Sequence, residues 1–427
     1  MQIHVVQPGE TLSSIAGGYG VPVTLLQRLN EVPPSGALAV GQTLVVYDKA
    51  RTHVVRPGET VSSIARSEGV TELSMYQNNI FLNGRSDIEA GEELIVELGE
   101  EQRGTLGVNG YAYPFIRSAL LQQTLPYMTY LTPFTYGFLP TGRLIVPEDE
   151  EMLREAPRYG AVPWMHLSTL TERDTFDNAL GSNLLRNTEV QEKLIAAVEE
   201  TIQRKGYRGL DVDFEYLDRD LAREYAAFIT ALRQRLNPKG IPVLVALAPK
   251  SSATQQGLLY EAHDYALLGE AANAVLLMTY EWGYRYGPPM AVAPMPQVRR
   301  VLEYALSEMP REKIFLGVPT YGYDWPLPYE RGKTQAVSIS PLEALRLARQ
   351  YGAEIRYDTA AEAPYFYYTA PDGVAHVVWF EDARASLAKF TLAQEQGLQG
   401  VGLWNLMRPA PQTYLVLHGG FNIEKQG

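Results

Sequence analysis

Three acidic residues alternate along one stretch near the middle of the chain. Residues 208–216 read R-G-L-D-V-D-F-E-Y, which places Asp211, Asp213 and Glu215 two residues apart. Because successive side chains of a strand point to opposite faces, a strand here would carry the three carboxyl groups in one row, about 6.5–7 Å apart. Carboxyl groups this close cannot all ionise in a partly dry core, so some keep their protons near neutral pH. The row therefore favours a catalytic acid over carboxylates that are merely paired with Arg or hydroxyl groups.

The elements that would position this row follow from Val108 onward, where strand-like runs alternate with helical runs. The predicted strands are 108–115, 127–138, 160–167, 209–216, 242–248, 274–280, 314–321 and 400–406. Helices are predicted at 188–205, 219–236 and 295–309, among others. Eight such units predict an α/β fold, a (β/α)8 TIM barrel with its site at the carboxyl ends of the strands. On the fourth strand we expect Glu215 nearest the barrel mouth, and Val212, Phe214 and Tyr216 packed against the helices.

An unusually long segment separates the seventh and eighth predicted strands. Its residues alternate on their own, as in A-P-Y-F-Y-Y-T from Ala363 and H-V-V-W-F from His376. We interpret residues 324–381 as a small α+β insertion that walls one side of the cleft. The whole barrel domain is predicted to span residues 108–427.

A repeat precedes the barrel. H-V-V-Q-P-G-E-T-L-S-S-I-A at residues 4–16 recurs as H-V-V-R-P-G-E-T-V-S-S-I-A at 53–65. A near-copy at a fixed offset indicates tandem modules. Each copy is predicted to fold as strand, helix, helix, strand. The boundaries we predict are 1–48 for the first module, 51–98 for the second and 99–107 for a polar linker.

Both copies resemble the LysM module over nearly their whole length. The resemblance implies binding of N-acetylglucosamine chains, as in peptidoglycan or chitin, in a groove between two loops of each module. The residues it nominates for glycan contact are Gly9, Glu10, Thr11, Leu12, Asn30 and Leu38 in the first copy, and Gly58, Glu59, Thr60, Val61, Asn79 and Ile88 in the second. For Thr11 and Thr60, capping of a helix is an equally good explanation.

The acidic strand resembles the signature D-x-x-D-x-D-x-E of glycoside hydrolase family 18. Three of the four acids match, whereas Arg208 replaces the first, and residues 278–281 resemble the family's M-x-Y-D with Glu for Asp. The resemblance implies Glu215, Asp213, Asp211 and Tyr280 as catalytic residues. The substrate-binding residues it implies are Trp404, Tyr321, Met278, Glu281, Trp282 and Tyr111.

The chemistry implied by this resemblance is substrate-assisted. The acetamido oxygen of the substrate attacks C1, Glu215 protonates the leaving oxygen and then activates water, and the configuration is retained. Asp213 would hold the acetamido N–H, Asp211 would share a proton with Asp213, and Tyr280 would donate to the acetamido carbonyl. We expect no cofactor and no metal.

The combination of LysM modules and barrel, with N-G-Y-A at 109–112 and W-F-E-D-A-R at 379–384, resembles the spore cortex-fragment-lytic enzymes. These are N-acetylglucosaminidases that act on cortex peptidoglycan during germination. A chitinase is the alternative enzyme, and a non-catalytic sugar-binding lectin is the alternative of another class. Lectins of this family typically lose the acid at the position of Glu215, which is present here.

The composition limits the kinds of partner that this protein can have. The formal net charge is −12, which repels phosphate backbones, so we expect no nucleic-acid partner. The chain has no Cys, which excludes disulfides. No apolar run approaches the length of a membrane helix, and the first residues lack the pattern of a secretory signal. We therefore expect no membrane association, a monomer, and a spore-associated or otherwise cell-wall-associated protein that carries no signal peptide.

Overall fold

Eight parallel strands form the central sheet of the computed structural model, which describes residues 1–171, 175, 177–257 and 259–426. In chain order these barrel strands are Thr105–Ala112, Tyr130–Pro133, Met165–Ser168, Leu210–Asp213, Val243–Leu247, Ala274–Leu277, Ile314–Pro319 and Gly400–Trp404. The eighth pairs with the first, and the second pairs with Val162–Pro163, which leads directly into the third. The strands therefore close into the predicted TIM barrel.

Helices cover the outside of the barrel. They are Ser118–Thr124, Glu150–Glu155, Asn178–Leu185, Thr188–Lys205, Ala222–Leu236, Tyr265–Ala271, Met295–Glu308, Ala383–Glu395 and Pro411–Gly420. Thr188–Lys205 shows why they begin and end where they do. The Asn187 side chain accepts from the Val190 N–H, and Gly206 ends the helix at φ 78°.

The barrel strands are buried on both faces, because helices cover one side and interior side chains fill the other. The run V-L-V-A-L at Val243–Leu247 is wholly buried. Sequence periodicity predicted the eight strands but placed several ends too late. The fourth strand ends at Asp213, before Glu215, so the catalytic acid predicted on the strand lies on the loop that follows it.

The insertion between the seventh and eighth strands is a five-stranded antiparallel sheet with one helix. Its strands are Gly322–Leu327, Val337–Ile339, Arg356–Asp358, Ala363–Thr369 and Ala375–Trp379, and its helix is Pro341–Gln350. The helix and sheet enclose their own apolar core around Phe366, Val378 and Phe380. The expected α+β insertion is therefore present, and its sheet begins directly after the seventh barrel strand.

The two repeats fold alike. The first has strands Gln2–Val5 and Thr43–Val46 around helices Leu12–Tyr19 and Val23–Leu29, and the second has strands Arg51–Val54 and Glu93–Glu97 around helices Val61–Glu68 and Glu72–Asn78. Each strand pair is antiparallel. The strand–helix–helix–strand order predicted from the repeat is confirmed.

Both modules pack directly on the barrel. Thr43 of the first module donates a 2.6 Å hydrogen bond to Gln412 of the last helix, and the Tyr47 hydroxyl donates to the Leu415 carbonyl at 2.7 Å. In the second module, the Gln77 carbonyl accepts from the Tyr127 hydroxyl at 2.7 Å. These bonds are buried, so losing one would leave a polar group unsatisfied away from water.

The first module also contacts the insertion. The Ile355 N–H donates to the Val40 carbonyl at 2.9 Å. Gly41 has φ 82°, and a Cβ there would lie 1.9 Å from the Ile355 carbonyl oxygen. Glycine at this position therefore permits both the turn and the close approach of the two backbones.

Asn30 and Asn79 are structural residues in these modules. The Asn30 side chain is 1% exposed, donates to the carbonyls of Leu26 and Val45, and accepts from the Val45 N–H. Asn79 is fully buried and makes the corresponding three bonds, to Met75 and Ile95. Each Asn ties the end of a helix to the closing strand, which explains why both repeats carry it.

Replacing Asn30 with Ala should therefore weaken the fold of the first module. The N–H and carbonyl of Val45 lose the side chain that binds them and the Leu26 carbonyl loses one of two donors, so we expect the opening free energy of residues 1–48 to fall by about 2–4 kcal/mol. Hydrogen–deuterium exchange of the intact protein measures this directly. Gln2→Ala, at an exposed position of the same module, is the control. Unchanged exchange with lost glycan binding would instead support the binding role that the LysM resemblance implied.

Candidate active site

The predicted acidic row lies inside the barrel. Asp211 is completely buried and Asp213 is 7% exposed, while Glu215 is half-buried at the mouth. The Tyr111 hydroxyl, from the first strand, donates to Asp211 Oδ2 at 2.6 Å. The Oδ1 atoms of Asp211 and Asp213 are buried without a hydrogen-bond partner among the described residues. The three carboxyl groups thus lie in an environment that disfavours their charged forms.

Burial raises the pKa of all three groups. Desolvation raises the pKa of Asp211 to about 7, and the hydrogen bond from Tyr111 only partly offsets it. The pKa of Asp213 is raised well above its usual value, first by burial and then by the charges of Glu215 and Asp211. Burial, helped by the charge of Glu281, raises the pKa of Glu215 to about 7. The row therefore holds protons close to neutral pH, as its spacing predicted.

Tyr216 does not lie where strand alternation placed it. Val212 and Phe214 are buried on the helix side as expected, but Tyr216 is 42% exposed with φ 55°. The strand has ended by this point, so the alternation of faces no longer holds. Tyr216 instead lines the cleft beside Glu215. The expectation that it packs against the helices was wrong.

Two connected hollows meet at Glu215. The inner one, of about 190 Å³, is a pocket lined by Asp213, Trp404 and Tyr280, with Tyr111, Tyr113, Phe134 and His166 around it. The outer cleft, of about 420 Å³, is lined by aromatic side chains, namely Tyr216, Tyr260, Trp282 and Tyr284. Glu215, Met278, Tyr280 and Glu281 border both. This arrangement places an acid between a small inner pocket and a larger, aromatic cleft.

Trp404 forms one wall of the inner pocket. Its indole stacks with the Tyr280 ring at a centroid distance of 6.5 Å, and it contacts the rings of Tyr111 and Phe134 at 5.9 and 4.9 Å. These neighbours fix the plane of the indole. An indole held in this way can stack on the apolar face of a sugar ring, the role expected for Trp404.

Glu281 is held by two tyrosines at the mouth of the cleft. The hydroxyls of Tyr321 and Tyr323 both donate to its carboxylate, the latter at 3.0 Å. These hydrogen bonds oppose the rise in pKa that burial causes for Glu281. Glu281, Tyr321 and Met278 were all predicted at the site, whereas Tyr323, two residues after Tyr321, was missed.

Sequence reasoning also missed two histidines that touch the acidic row or its backbone. His166 is 1% exposed, and its Nε2 lies 3.8 Å from Asp213 Oδ2. Its Nδ1 is 2.6 Å from the Thr135 hydroxyl, and burial lowers the pKa of His166 to about 3, so the ring is neutral. Two-residue alternation on the third strand could have indicated it, since His166 pairs in register with Asp211.

His263 fixes the backbone just before Glu215. The Ala248 N–H donates to its Nδ1 at 2.8 Å, so the proton lies on Nε2, which donates to the Phe214 carbonyl at 3.0 Å. Burial lowers the pKa of His263 to about 4 and keeps this tautomer neutral. Since His263 lies in an irregular segment far along the chain, no local pattern could have indicated it.

The residues expected to contact glycan in the modules divide into buried and exposed sets. Leu12, Val61, Asn30 and Asn79 are buried inside the modules. There they contribute to the core and its hydrogen bonds, so their side chains do not line a surface groove.

The remaining nominated residues lie at or near the surface. Thr11 and Thr60 each cap a helix, accepting from the Ser14 and Ser63 N–H groups at 3.1 and 3.2 Å. Glu10 and Glu59 accept from backbone N–H groups and contact His4 and His53. Gly9 and Gly58 are exposed turn residues with φ 85° and 84°.

Leu38 and Ile88 occupy different surroundings in the two modules. Leu38 lines a groove of about 300 Å³ whose other wall is Ala348–Glu354 of the insertion. Ile88 lies in a loop, 85–91, that is largely exposed. The two modules therefore present unequal surfaces although their opening segments, 4–16 and 53–65, are nearly the same.

The described residues contain no group of three or more His, Asp or Glu side chains arranged to hold a metal ion. None of the helices that the structure describes is long and apolar enough to cross a membrane.

The barrel, the acidic fourth strand and the pocket under Trp404 define a glycosidase. The pattern of glycosyl hydrolases family 18 matches residues 176–408, and the pattern of the LysM domain matches 4–46 and 53–97. The chain belongs to glycosyl hydrolases family 18. Both resemblances inferred from the motifs are therefore confirmed.

Particular relatives match along the whole chain. The cortical fragment-lytic enzyme of Bacillus subtilis (strain 168) is 40% identical, and the alignment covers 100% of this chain and 99% of that protein. The cortical fragment-lytic enzyme of Bacillus cereus is 36% identical, with 100% of each chain covered. The crystal structure of the spore cortex-lytic enzyme SleL of Bacillus cereus superposes with a TM-score of 0.84 at 34% identity, covering 99% of this chain and 98% of that one.

Removing the charge of Asp211 should stabilise the protein at alkaline pH. The pKa of Asp211 is raised in the folded state, so its contribution to stability is present at low pH and is lost as pH rises from about 4 through about 7. Asp211→Asn cannot ionise, and we expect it to exceed the wild type by about 1–4 kcal/mol at pH 8 and by little at pH 4.

Thermal unfolding at the two pH values measures this difference. Asp87→Asn, the same replacement in an exposed loop of the second module, is the matched control. An Asp211→Asn variant that is equally destabilised at both pH values would contradict the raised pKa.

Proposed function

We propose that this enzyme cleaves the glycosidic bond that follows N-acetylglucosamine in peptidoglycan, with retention of configuration. The observation that carries the proposal is the row of three protonatable carboxyl groups that ends at Glu215, between the inner pocket and the outer cleft. The only carboxyl group in the row that borders both hollows is Glu215. It is therefore placed to protonate a leaving oxygen at their junction.

The proposed reaction has two steps. In the first, the acetamido carbonyl oxygen of the bound sugar attacks C1 while the bond to the leaving sugar breaks, and Glu215 gives its proton to the leaving oxygen. In the second, water attacks C1 from the vacated side, Glu215 takes the proton of that water, and the acetamido group is restored. Two inversions at C1 give net retention.

The neighbouring groups act on the acetamido group. Asp213 accepts its N–H and stabilises the positive charge that develops as the ring forms. The Tyr280 hydroxyl, whose pKa is raised by burial and by the nearby carboxyl groups, stays protonated and donates to the acetamido carbonyl. Asp211 shares a proton with Asp213, so that only part of the negative charge in the row must be desolvated.

The choice of peptidoglycan rests on the relatives. The full-length relatives described above are named as cortical fragment-lytic or spore cortex-lytic enzymes, and cortex is a peptidoglycan. We extend this to a spore- or wall-associated enzyme whose LysM modules hold the glycan, with residues 1–48 and 51–98 as the modules. The candidate surface residues for this are Gly9, Glu10, Thr11, Leu38, Gly58, Glu59, Thr60 and Ile88. The catalytic domain is 108–427 together with residues 105–107, which begin the first barrel strand.

Glu215→Gln should lower turnover by roughly 10²–10⁴-fold, because the amide fills the same space but cannot donate the proton that the leaving group needs. Wild-type kcat/KM should also decline as pH rises through about 7, where Glu215 loses its proton. Steady-state hydrolysis measures both effects. Glu224→Gln, an exposed glutamate on the following helix, is the control. Near-normal turnover by folded Glu215→Gln would remove the assignment.

The nature of the cleaved bond is tested on cortex fragments. We expect new reducing ends that are N-acetylglucosamine, and no cleavage at glucosamine units from which the acetyl group has been removed, since the acetamido oxygen is the proposed nucleophile. Mass spectrometry of borohydride-reduced products identifies the new ends. Efficient turnover of chitin with no action on peptidoglycan would favour the chitinase alternative, and cleavage of de-N-acetylated units would contradict substrate assistance.

A further inference from the structure

Phe115 is a large apolar side chain exposed at the barrel mouth. It lies on the loop that follows the first barrel strand and is 76% exposed. A single exposed apolar residue needs no explanation by itself. Phe115, however, stacks on Tyr113 with a centroid distance of 5.3 Å and an interplanar angle of 28°. One face of its ring is thus held in place while the side chain as a whole remains open to solvent.

Tyr113 connects Phe115 to the catalytic pocket. It is one of the residues that line the inner hollow with Asp213 and Trp404. Its ring contacts the rings of Phe134 and Trp404 at 5.0 and 6.4 Å. Aromatic rings therefore continue from the pocket wall, through Tyr113, to the solvent-facing ring of Phe115.

This aromatic path leaves the pocket on the side opposite the outer cleft. Phe115 follows the first barrel strand, whereas the cleft residues Tyr216, Tyr260, Trp282 and Tyr284 follow the fourth, fifth and sixth strands. In the closed strand order the first and fifth strands face each other across the barrel. Glu215 and the inner pocket lie between the two aromatic surfaces.

The chemistry of the site indicates which side of the cleaved bond each of the two aromatic surfaces would bind. The sugar whose acetamido group reacts must lie in the inner pocket, against Asp213 and Tyr280. Its leaving partner must lie where Glu215 can protonate it, and the outer cleft begins there. The next sugar on the non-reducing side therefore leaves the pocket by the remaining path, toward Tyr113 and Phe115.

We propose that Phe115, backed by Tyr113, is a binding subsite for a sugar ring on the non-reducing side of the cleaved bond, and that the enzyme cuts within glycan chains rather than only at their ends. This inference rests on the function proposed above. A flat, uncharged ring held by a neighbour can stack on the C–H face of a sugar at little cost in side-chain entropy.

A peptide-free cortex hexasaccharide, made of three GlcNAc–MurNAc units, tests this in a single reaction. Three of its bonds follow GlcNAc. Cutting the inner bond, after the second GlcNAc, fills the proposed subsite with sugars on the non-reducing side, whereas cutting the terminal bond, after the first GlcNAc, leaves it empty. Early products separate the two, because the inner cut releases two trisaccharides and the terminal cut releases GlcNAc.

We expect the wild type to favour the inner bond, and Phe115→Ala to lower the ratio of inner to terminal cuts by about 2- to 12-fold, the range for one aromatic contact. Phe115→Trp should keep the ratio, and Val54→Ala, at an exposed apolar position of the second module, should leave it unchanged. Because Phe115 is exposed, the Ala variant should melt with the wild type.

Three results would overturn the subsite. They are an unchanged ratio in Phe115→Ala, an equal loss at both bonds, and a wild type that releases only terminal GlcNAc. Failure of the proposed function looks different, since the wild type would then cut none of the bonds after GlcNAc.

Discussion

The burial of three carboxyl groups in one row, nearly complete for Asp211 and Asp213 and partial for Glu215, is the constraint on which this site depends. Removing a charged carboxylate from water is costly unless a partner compensates it. Among the described residues no Lys or Arg lies within ion-pair distance of Asp211, Asp213 or Glu215, and the neutral His166 is the nearest basic group to Asp213. Protons, rather than cations, must therefore neutralise the row, and a proton held in this way is available for transfer.

The backbone after the fourth and sixth strands is adapted to this requirement. Tyr216 directly follows Glu215 with φ 55°, and Glu281 directly follows Tyr280 with φ 67°. Left-handed backbone is unfavourable for such residues and persists only where surrounding contacts enforce it. At Glu281 these contacts are the bonds from Tyr321 and Tyr323, and beside Glu215 the His263 bond holds the Phe214 carbonyl. Hydrogen bonds thus stabilise the backbone beside Glu215 and Tyr280, whose side chains line the pocket.

The sequence predicted those parts of the protein that have a local period. The strand-like and helical runs from Val108 onward predicted the eight-stranded barrel, and the alternation over residues 208–216 predicted the interior carboxyl groups. That alternation failed beyond Asp213, where the strand ends, and so misplaced Tyr216. His263 and Phe115 act through contacts with residues distant in sequence or through exposure, neither of which has a periodic signature. Asn30 and Asn79 were nominated for glycan contact by the resemblance to the LysM module, and in the structure their side chains satisfy buried backbone groups.

The two repeats have similar opening sequences and the same fold, but different surroundings in the protein. Their first helices have the same capping boxes, and their closing Asn residues make the same bonds. Yet the loop of the first module packs against Ile355 of the insertion through Gly41, while the corresponding loop of the second module, 85–91, faces solvent. Residues of the insertion between Ala348 and Glu354 form one wall of the groove at Leu38, and no such wall stands beside the described loop of the second module. Because that wall belongs to the insertion whose Tyr323 also contacts Glu281 at the barrel mouth, the contacts of the first module are continuous with those that position the catalytic pocket.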